Sequence, residues 1–237
     1  MATRITLHED RLFPTDPAVR AVARLLYEKV AALPILSPHG HTDPRWYAEN
    51  IAFTNPTALF LIPDHYIYRM LYSQGVPLEA LGVPRLDGGP VESDPRAAWR
   101  LFARHYHLFR GTPSRFWFEH VLVTVLGVDE RPCPENADAL YEAIQTKLDE
   151  PGFRVRALYD RFGIEAISTT DSPLDDLAFH TTVRDDAAWN GRVLPAFRPD
   201  PVVDPEFEGF ATNVAKLAAL TGEDTASWKG YLAALAQ

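Results

Sequence analysis

Apolar residues along this chain follow a helical rhythm over most of its length, broken by short continuous runs. Between Asp16 and Pro34, Val19, Val22, Ala23, Leu26 and Val30 recur three or four positions apart, the spacing of one helix face. Asp16 suits the N-cap and Pro17 the first helical position, while Pro34 ends the run. Ile35 and Leu36 then begin a very short buried-strand candidate that stops at Pro38. From about residue 45 to 162 the pattern is amphipathic and helical. "SDPRAAWRLFARHYHLF" repeats the Asp-Pro start at Asp94 and Pro95, with Trp99, Phe102, Ala103 and Tyr106 at helical spacing. "SRFWFEHVLVTVLG" and "ENADALYEAIQTKL" predict two more helices, the first ended by Gly127. "GIEAIST" (Gly163 to Thr169) and "RVLPAF" (Arg192 to Phe197) predict strands, and the segments Glu206 to Leu220 and Thr225 to Gln237 predict helices.

Polar, charge-rich loops follow all three predicted strands at their C-terminal ends. That is where an α/β barrel or a doubly wound sheet places its chemistry. The organisation expected is an N-terminal segment with the first strand (1–44), a mostly helical insertion (45–162) and further βα units (163–237). Three strands are too few to close a barrel.

Composition narrows the partners. A formal charge of −9 leaves no basic excess to neutralise phosphates, which argues against nucleic acid and anionic membrane. Cys133 is the only cysteine, so no internal disulfide forms and a thiolate-rich metal site is excluded. With no apolar run near 18 residues and no apolar leader pattern at the start, the expectation is a soluble, cytoplasmic protein.

Candidate chemistry lies where the strands end. In "LPILSPHGHTDP", His39 and His41 are two residues apart, so in extended backbone both imidazoles aim the same way across Gly40. Neutral imidazoles at that spacing suit Zn²⁺ or a similar divalent metal, although a catalytic site usually takes three protein ligands. A pair of solvent-exposed loop histidines would look the same. Asp43 reads as an Asx turn before Pro44. Asp171, in "TTDSPLDD", is placed to orient a substrate hydroxyl, hold a metal-bound water or act as a base, but capping of the next helix is the reading its neighbours favour. Arg198, in "FRPDP", suits bidentate binding of a ligand carboxylate or phosphate, or else an ion pair with Asp200 or Asp171. His65 and Arg69, in "PDHYIYRML", share one helix face. His105, His107, His120 and His180 read as helix-face or helix-end residues without a functional signal, and the Trp99 stripe and Phe116–Phe118 read as core.

Taken in order, "LPILSPHGHTDP", "DHYIYRM", "ISTTDSPLDD" and "RVLPAFRPD" resemble the uronate (glucuronate) isomerase family of the amidohydrolase superfamily. The resemblance implies a partial (β/α)₈ TIM-like barrel of the metal-dependent hydrolase type, with a helical insertion after strand 1. It implies aldose–ketose isomerisation of D-glucuronate to D-fructuronate and of D-galacturonate to D-tagaturonate. On that likeness His39 and His41 match metal ligands, with Zn²⁺ the usual ion. His65 matches a histidine near the substrate, Arg198 an arginine that binds it, and Arg69 and Asp171 sit in shared motifs. The resemblance covers only the N-terminal half of such enzymes, leaving a further aspartate ligand and the later strands without counterparts. The chain alone is therefore expected to be inactive and, with an open sheet edge, to self-associate as a homo-oligomer. The alternatives are a metal-dependent hydrolase of the same superfamily, or a non-catalytic fragment retaining part of a metal site. No lysine in "ISTTDSP" supports the hydrolase.

Overall fold

Five helices open on a proline whose preceding side chain caps them: Asp16–Pro17, Asp43–Pro44, Asn55–Pro56, Asp94–Pro95 and Thr112–Pro113. The first N–H groups of a helix have no intrahelical acceptor, so proline at the first position loses nothing and the cap oxygen takes an orphaned N–H. This pairing accounts for five of the 20 prolines. The computed structural model describes residues 3–237 and divides into two compact units, Met1–Ala32 with Ala52–Arg154, and Leu33–Ile51 with Val155–Gln237. These boundaries differ from the expected 1–44, 45–162 and 163–237. The first strand parts from the helix before it and joins the later strands, taking residues on both sides of the helical stretch with it.

The first unit is helical. Its core forms where the helix Pro95–His105 meets Pro113–His120 and Ala137–Leu148, burying Trp99, Phe102, Phe118, Leu140 and Ile144. After His120 the backbone widens into a π-helical turn, Val121–Val125, and Gly127 follows with φ +70°. The helix Pro17–Val30 forms with Asp16 as its cap, but it buries no residue: Val19, Val22, Leu26 and Val30 are all exposed. Its apolar stripe is a real feature of the sequence, yet no described residue covers it. Polar contacts hold its other side, where Arg24 donates to Glu9 and Asp10.

The second unit carries a three-stranded parallel sheet in the order β1 (Ile35–Ser37), β2 (Ile164–Ser168), β3 (Arg192–Leu194). Ala166 and Ile167 of the central strand are buried, but Ile35 and Leu36 are 47% and 63% exposed. The expected buried character of the first strand is therefore corrected: β1 is an edge strand, covered by β2 on one side only. The helix Ala178–Asp185 connects β2 to β3, a right-sized βα crossover. Among the described residues no helix is long and apolar enough to cross a membrane.

Arg156 fastens this unit. It donates from Nε to Tyr47 O (2.7 Å) and from Nη2 to Ala48 O (3.1 Å), and Nη1 reaches Asp186 Oδ2 at 2.5 Å. The guanidinium also lies 4.8 Å from the Trp189 ring centroid. Its hydrogen bond holds the Asp186 carboxyl below the usual carboxylate range. That contribution to stability is complete above the unfolded carboxylate pKa of about 4 and is lost as pH falls through the lower folded value. Arg156→Met keeps the stem and removes the donors, and should cost about 2–4 kcal/mol by urea unfolding; a loss below about 0.5 kcal/mol would show the clamp to be incidental.

Candidate functional site

The C-terminal ends of β1, β2 and β3 bring four of the sequence-selected residues into one region. Past β1 the chain runs through His39, Gly40 and His41. Gly40 has to be glycine, because a Cβ there would meet Ser168 O at 2.7 Å. Thr170 Oγ1 donates to Gly40 O at 2.7 Å, pinning the loop after β2 to the loop after β1. Held this way, the two imidazoles turn toward each other, with Nε2 atoms 2.8 Å apart and ring planes at 80°. Both rings are exposed and accessible to an ion. The Asx reading of Asp43 holds: its Oδ1 accepts from Arg45 N at 2.9 Å and caps the helix Pro44–Glu49.

Asp171 is corrected. It caps no helix; Asp175 and Asp176 accept from Leu177 N and Ala178 N instead. The Asp171 side chain, 7% exposed, turns inward, and its Oδ2 accepts from Thr169 Oγ1 (2.7 Å) and Ala196 N (3.1 Å). Its backbone extends the β2–β3 pairing, with Asp171 N donating to Ala196 O and Arg198 N donating to Asp171 O at 2.9 Å. Arg198 resolves in favour of Asp200 as its ion-pair partner, through Nε to Oδ2 at 3.0 Å. The Nη groups of Arg198 carry no hydrogen bond among the described residues.

His41, Asp171 and Arg198 line one cavity of about 390 Å³, together with Thr170, Asp175 and Phe179. An imidazole, a carboxylate and a guanidinium thus face one space at the end of a parallel sheet, where α/β folds place ligands. His65 and Arg69 belong to the helical unit, on the exposed face of the helix His65–Ser73, which Asp64 caps through Tyr66 N and Ile67 N.

The His39–His41 pair fits a metal ion at two corners. Two Nε2 atoms on a tetrahedral zinc ion stand roughly 3.3 Å apart, about half an ångström more than the hydrogen-bonded 2.8 Å between these two, so the rings would part slightly to hold it. Among the described residues no cluster of three or more His, Cys, Asp or Glu side chains completes such a site.

Two residues at the back of this site have no role of their own in the sequence reading, although Thr169 lies within "ISTTDSPLDD" and His180 follows shortly after it. Thr169 is fully buried, and its Oγ1 lies 2.8 Å from His180 Nε2. His180 is only 7% exposed, on the helix Ala178–Asp185, three residues from buried Val183. That i, i+3 pairing with an apolar residue is the one pattern that marked His180 as inward-facing.

The sequence model of the family described as glucuronate isomerase matches residues 14–237. Uronate isomerase from Rhizorhabdus wittichii is 60% identical over 234 residues, covering 99% of this chain and 49% of the relative. Uronate isomerase from Rhizobium meliloti is 56% identical over 223 residues, covering 94% and 47%. The crystal structure of glucuronate isomerase from Caulobacter crescentus superposes with a TM-score of 0.92 at 50% identity, covering 98% of this chain and 48% of that one. Uronate isomerase from Thermotoga maritima gives 0.83 at 28% identity, with the same coverage. The chain spans about half the length of the curated relatives it matches. On this match over nearly its whole length, the chain belongs to the glucuronate isomerase family.

Proposed function

We propose that this chain carries part of the active site of a cytoplasmic hexuronate isomerase, interconverting D-glucuronate with D-fructuronate and D-galacturonate with D-tagaturonate. The supporting observation is the single cavity in which His41, Asp171 and Arg198 meet at the ends of three parallel strands. The sheet is then a portion of a (β/α)₈ barrel and the cavity lies on its C-terminal face.

Aldose–ketose isomerisation takes the proton from C2 of the open-chain sugar and returns one to C1 through a cis-enediol. The uronate carboxylate does not react and serves as a handle. Arg198 keeps its Nη groups available while Nε is tied to Asp200, so the fork can hold that carboxylate in two parallel bonds. This fixes the reach of C1 and C2 into the cavity. Asp171 lines the same space and accepts a hydroxyl or the C2 proton. His65 and Arg69 are assigned to substrate contacts by their family motif alone. His39 and His41 would hold a divalent ion, Zn²⁺ in the first instance, which polarises sugar oxygens as a Lewis acid when bound.

The non-catalytic reading has one observation in its favour: the described residues offer the ion two histidines and no third ligand. The two readings separate in D₂O, where ¹H NMR follows conversion of D-glucuronate and deuterium entry at C1 of the ketose formed. The purified 237-residue chain should show no turnover, and co-expression with the portion of the Rhizorhabdus wittichii relative that this chain does not match should restore it. Absence of both conversion and exchange in the complemented, zinc-loaded preparation would defeat the isomerase reading.

A further inference from the structure

The least expected polar group in the strand-bearing unit is the buried row His180, Thr169, Asp171. Thr169 Oγ1 sits between two partners, Asp171 Oδ2 at 2.7 Å and His180 Nε2 at 2.8 Å. A hydroxyl has one proton to give. A carboxylate oxygen only accepts, so the threonine proton belongs on the bond to Asp171. The imidazole must then be the donor, with its hydrogen on Nε2 and its Nδ1 bare. Leu194 O, at 3.4 Å from Oγ1, is a much longer alternative for the same proton.

The surroundings agree with that direction. His180 Nδ1 is buried and has no partner among the described residues. A buried N–H without an acceptor is rarer than a bare lone pair, which again places the hydrogen on Nε2. The direct His180 Nε2 to Asp171 Oδ1 separation is 3.7 Å, too long for a hydrogen bond. The row therefore runs through the threonine. Its effect falls on one oxygen: Oδ2 is taken by Thr169 and Ala196 N, while Oδ1 accepts no hydrogen bond among the described residues. Asp171 also lines the cavity.

We propose that Thr169 and His180 are positioning residues that lock the Asp171 carboxylate, leaving Oδ1 as its one free acceptor for a polyhydroxylated ligand in the cavity. Only the identity of that ligand rests on the isomerase reading. The role differs from a simple strand fastener, which would need the Ala196 N–H bond and no buried histidine.

Two measurements on the intact 237-residue chain test it. Long-range ¹H–¹⁵N spectra of histidine-labelled protein, with His180 assigned by its loss in His180→Gln, should show hydrogen on Nε2 and a bare Nδ1. Hydrogen on Nδ1 would reverse the row, strip Asp171 of its threonine bond and overturn the proposal. In NMR titrations with D-glucuronate, Thr169→Val should weaken binding about tenfold, the value of one such bond. Thr169→Ser, which restores the hydroxyl, should stay within about twofold of the parent. Equal weakening in both variants, or in neither, would reduce Thr169 to packing. If the parent fails to bind D-glucuronate, the isomerase reading loses its ligand, and the histidine spectrum alone decides the row.

Discussion

A chain with alanine at both His39 and His41 is expected to take up no Zn²⁺ under conditions where the parent binds about one equivalent per chain. The two Nε2 atoms stand 2.8 Å apart on exposed rings, and the loops that hold them are tied by Thr170 to Gly40. That tie is independent of the imidazoles, so their removal should leave the fold intact by circular dichroism. Each single variant leaves one nitrogen, and affinity should fall by more than about a hundredfold, since even losing a residue that merely supports a ligand costs 10–100-fold. Exposed His107 is the control, and His107→Ala should bind as the parent does. Metal analysis after gel filtration reads the outcome. Undiminished zinc in the double variant would show that the pair is no more than a hydrogen-bonded couple of loop histidines.

Local chemistry was the legible part of this fold. The caps at Asp16 and Asp94 and the stop at Gly127 appear where the sequence pattern predicts them, because each depends on residues within one turn. Burial was less legible. Val19, Val22 and Leu26 mark a face fit for burial, and Ile35–Leu36 mark a strand, but whether either is covered depends on partners far along the chain. The boundary between the units is non-local for the same reason: β1 pairs with β2 across more than a hundred residues, and Arg156 reaches back to Tyr47 and Ala48. At the candidate site, His39, His41 and Arg198 stand out in the sequence because a strand end followed by polar chemistry is a local pattern. For Asp171 the local pattern favours a cap, because capping is the commonest local use of such an aspartate. The contact that decides otherwise comes from Ala196, on the next strand's exit. His180 lay furthest from view, since a histidine on a helix face acquires meaning only once Thr169 is found against it.

The largest effect on stability should come from Trp99→Ala in the helical unit. Trp99 is 0% exposed and packs against Phe102, Tyr141 and Phe118, with ring centroids 5.4, 6.0 and 6.4 Å away. Its indole N–H donates to Ala137 O at 3.0 Å, joining the helix Pro95–His105 to the start of Ala137–Leu148. Truncation removes the transfer free energy of the ring and leaves a cavity that rigid aromatic neighbours cannot refill, a loss of about 3–5 kcal/mol. With a urea m-value of about 2–3 kcal/mol/M for a unit of this size, the midpoint should drop by roughly 1.5 M. Trp99→Phe separates the two contributions. It keeps an aromatic body and gives up the hydrogen bond, and should cost only about 1–2 kcal/mol. Ala137 O is at the head of a helix and keeps an intrahelical donor, so little of the penalty should come from the carbonyl. If the alanine and phenylalanine variants were equally destabilised, the hydrogen bond and not the packed aromatic cluster would be holding this unit together.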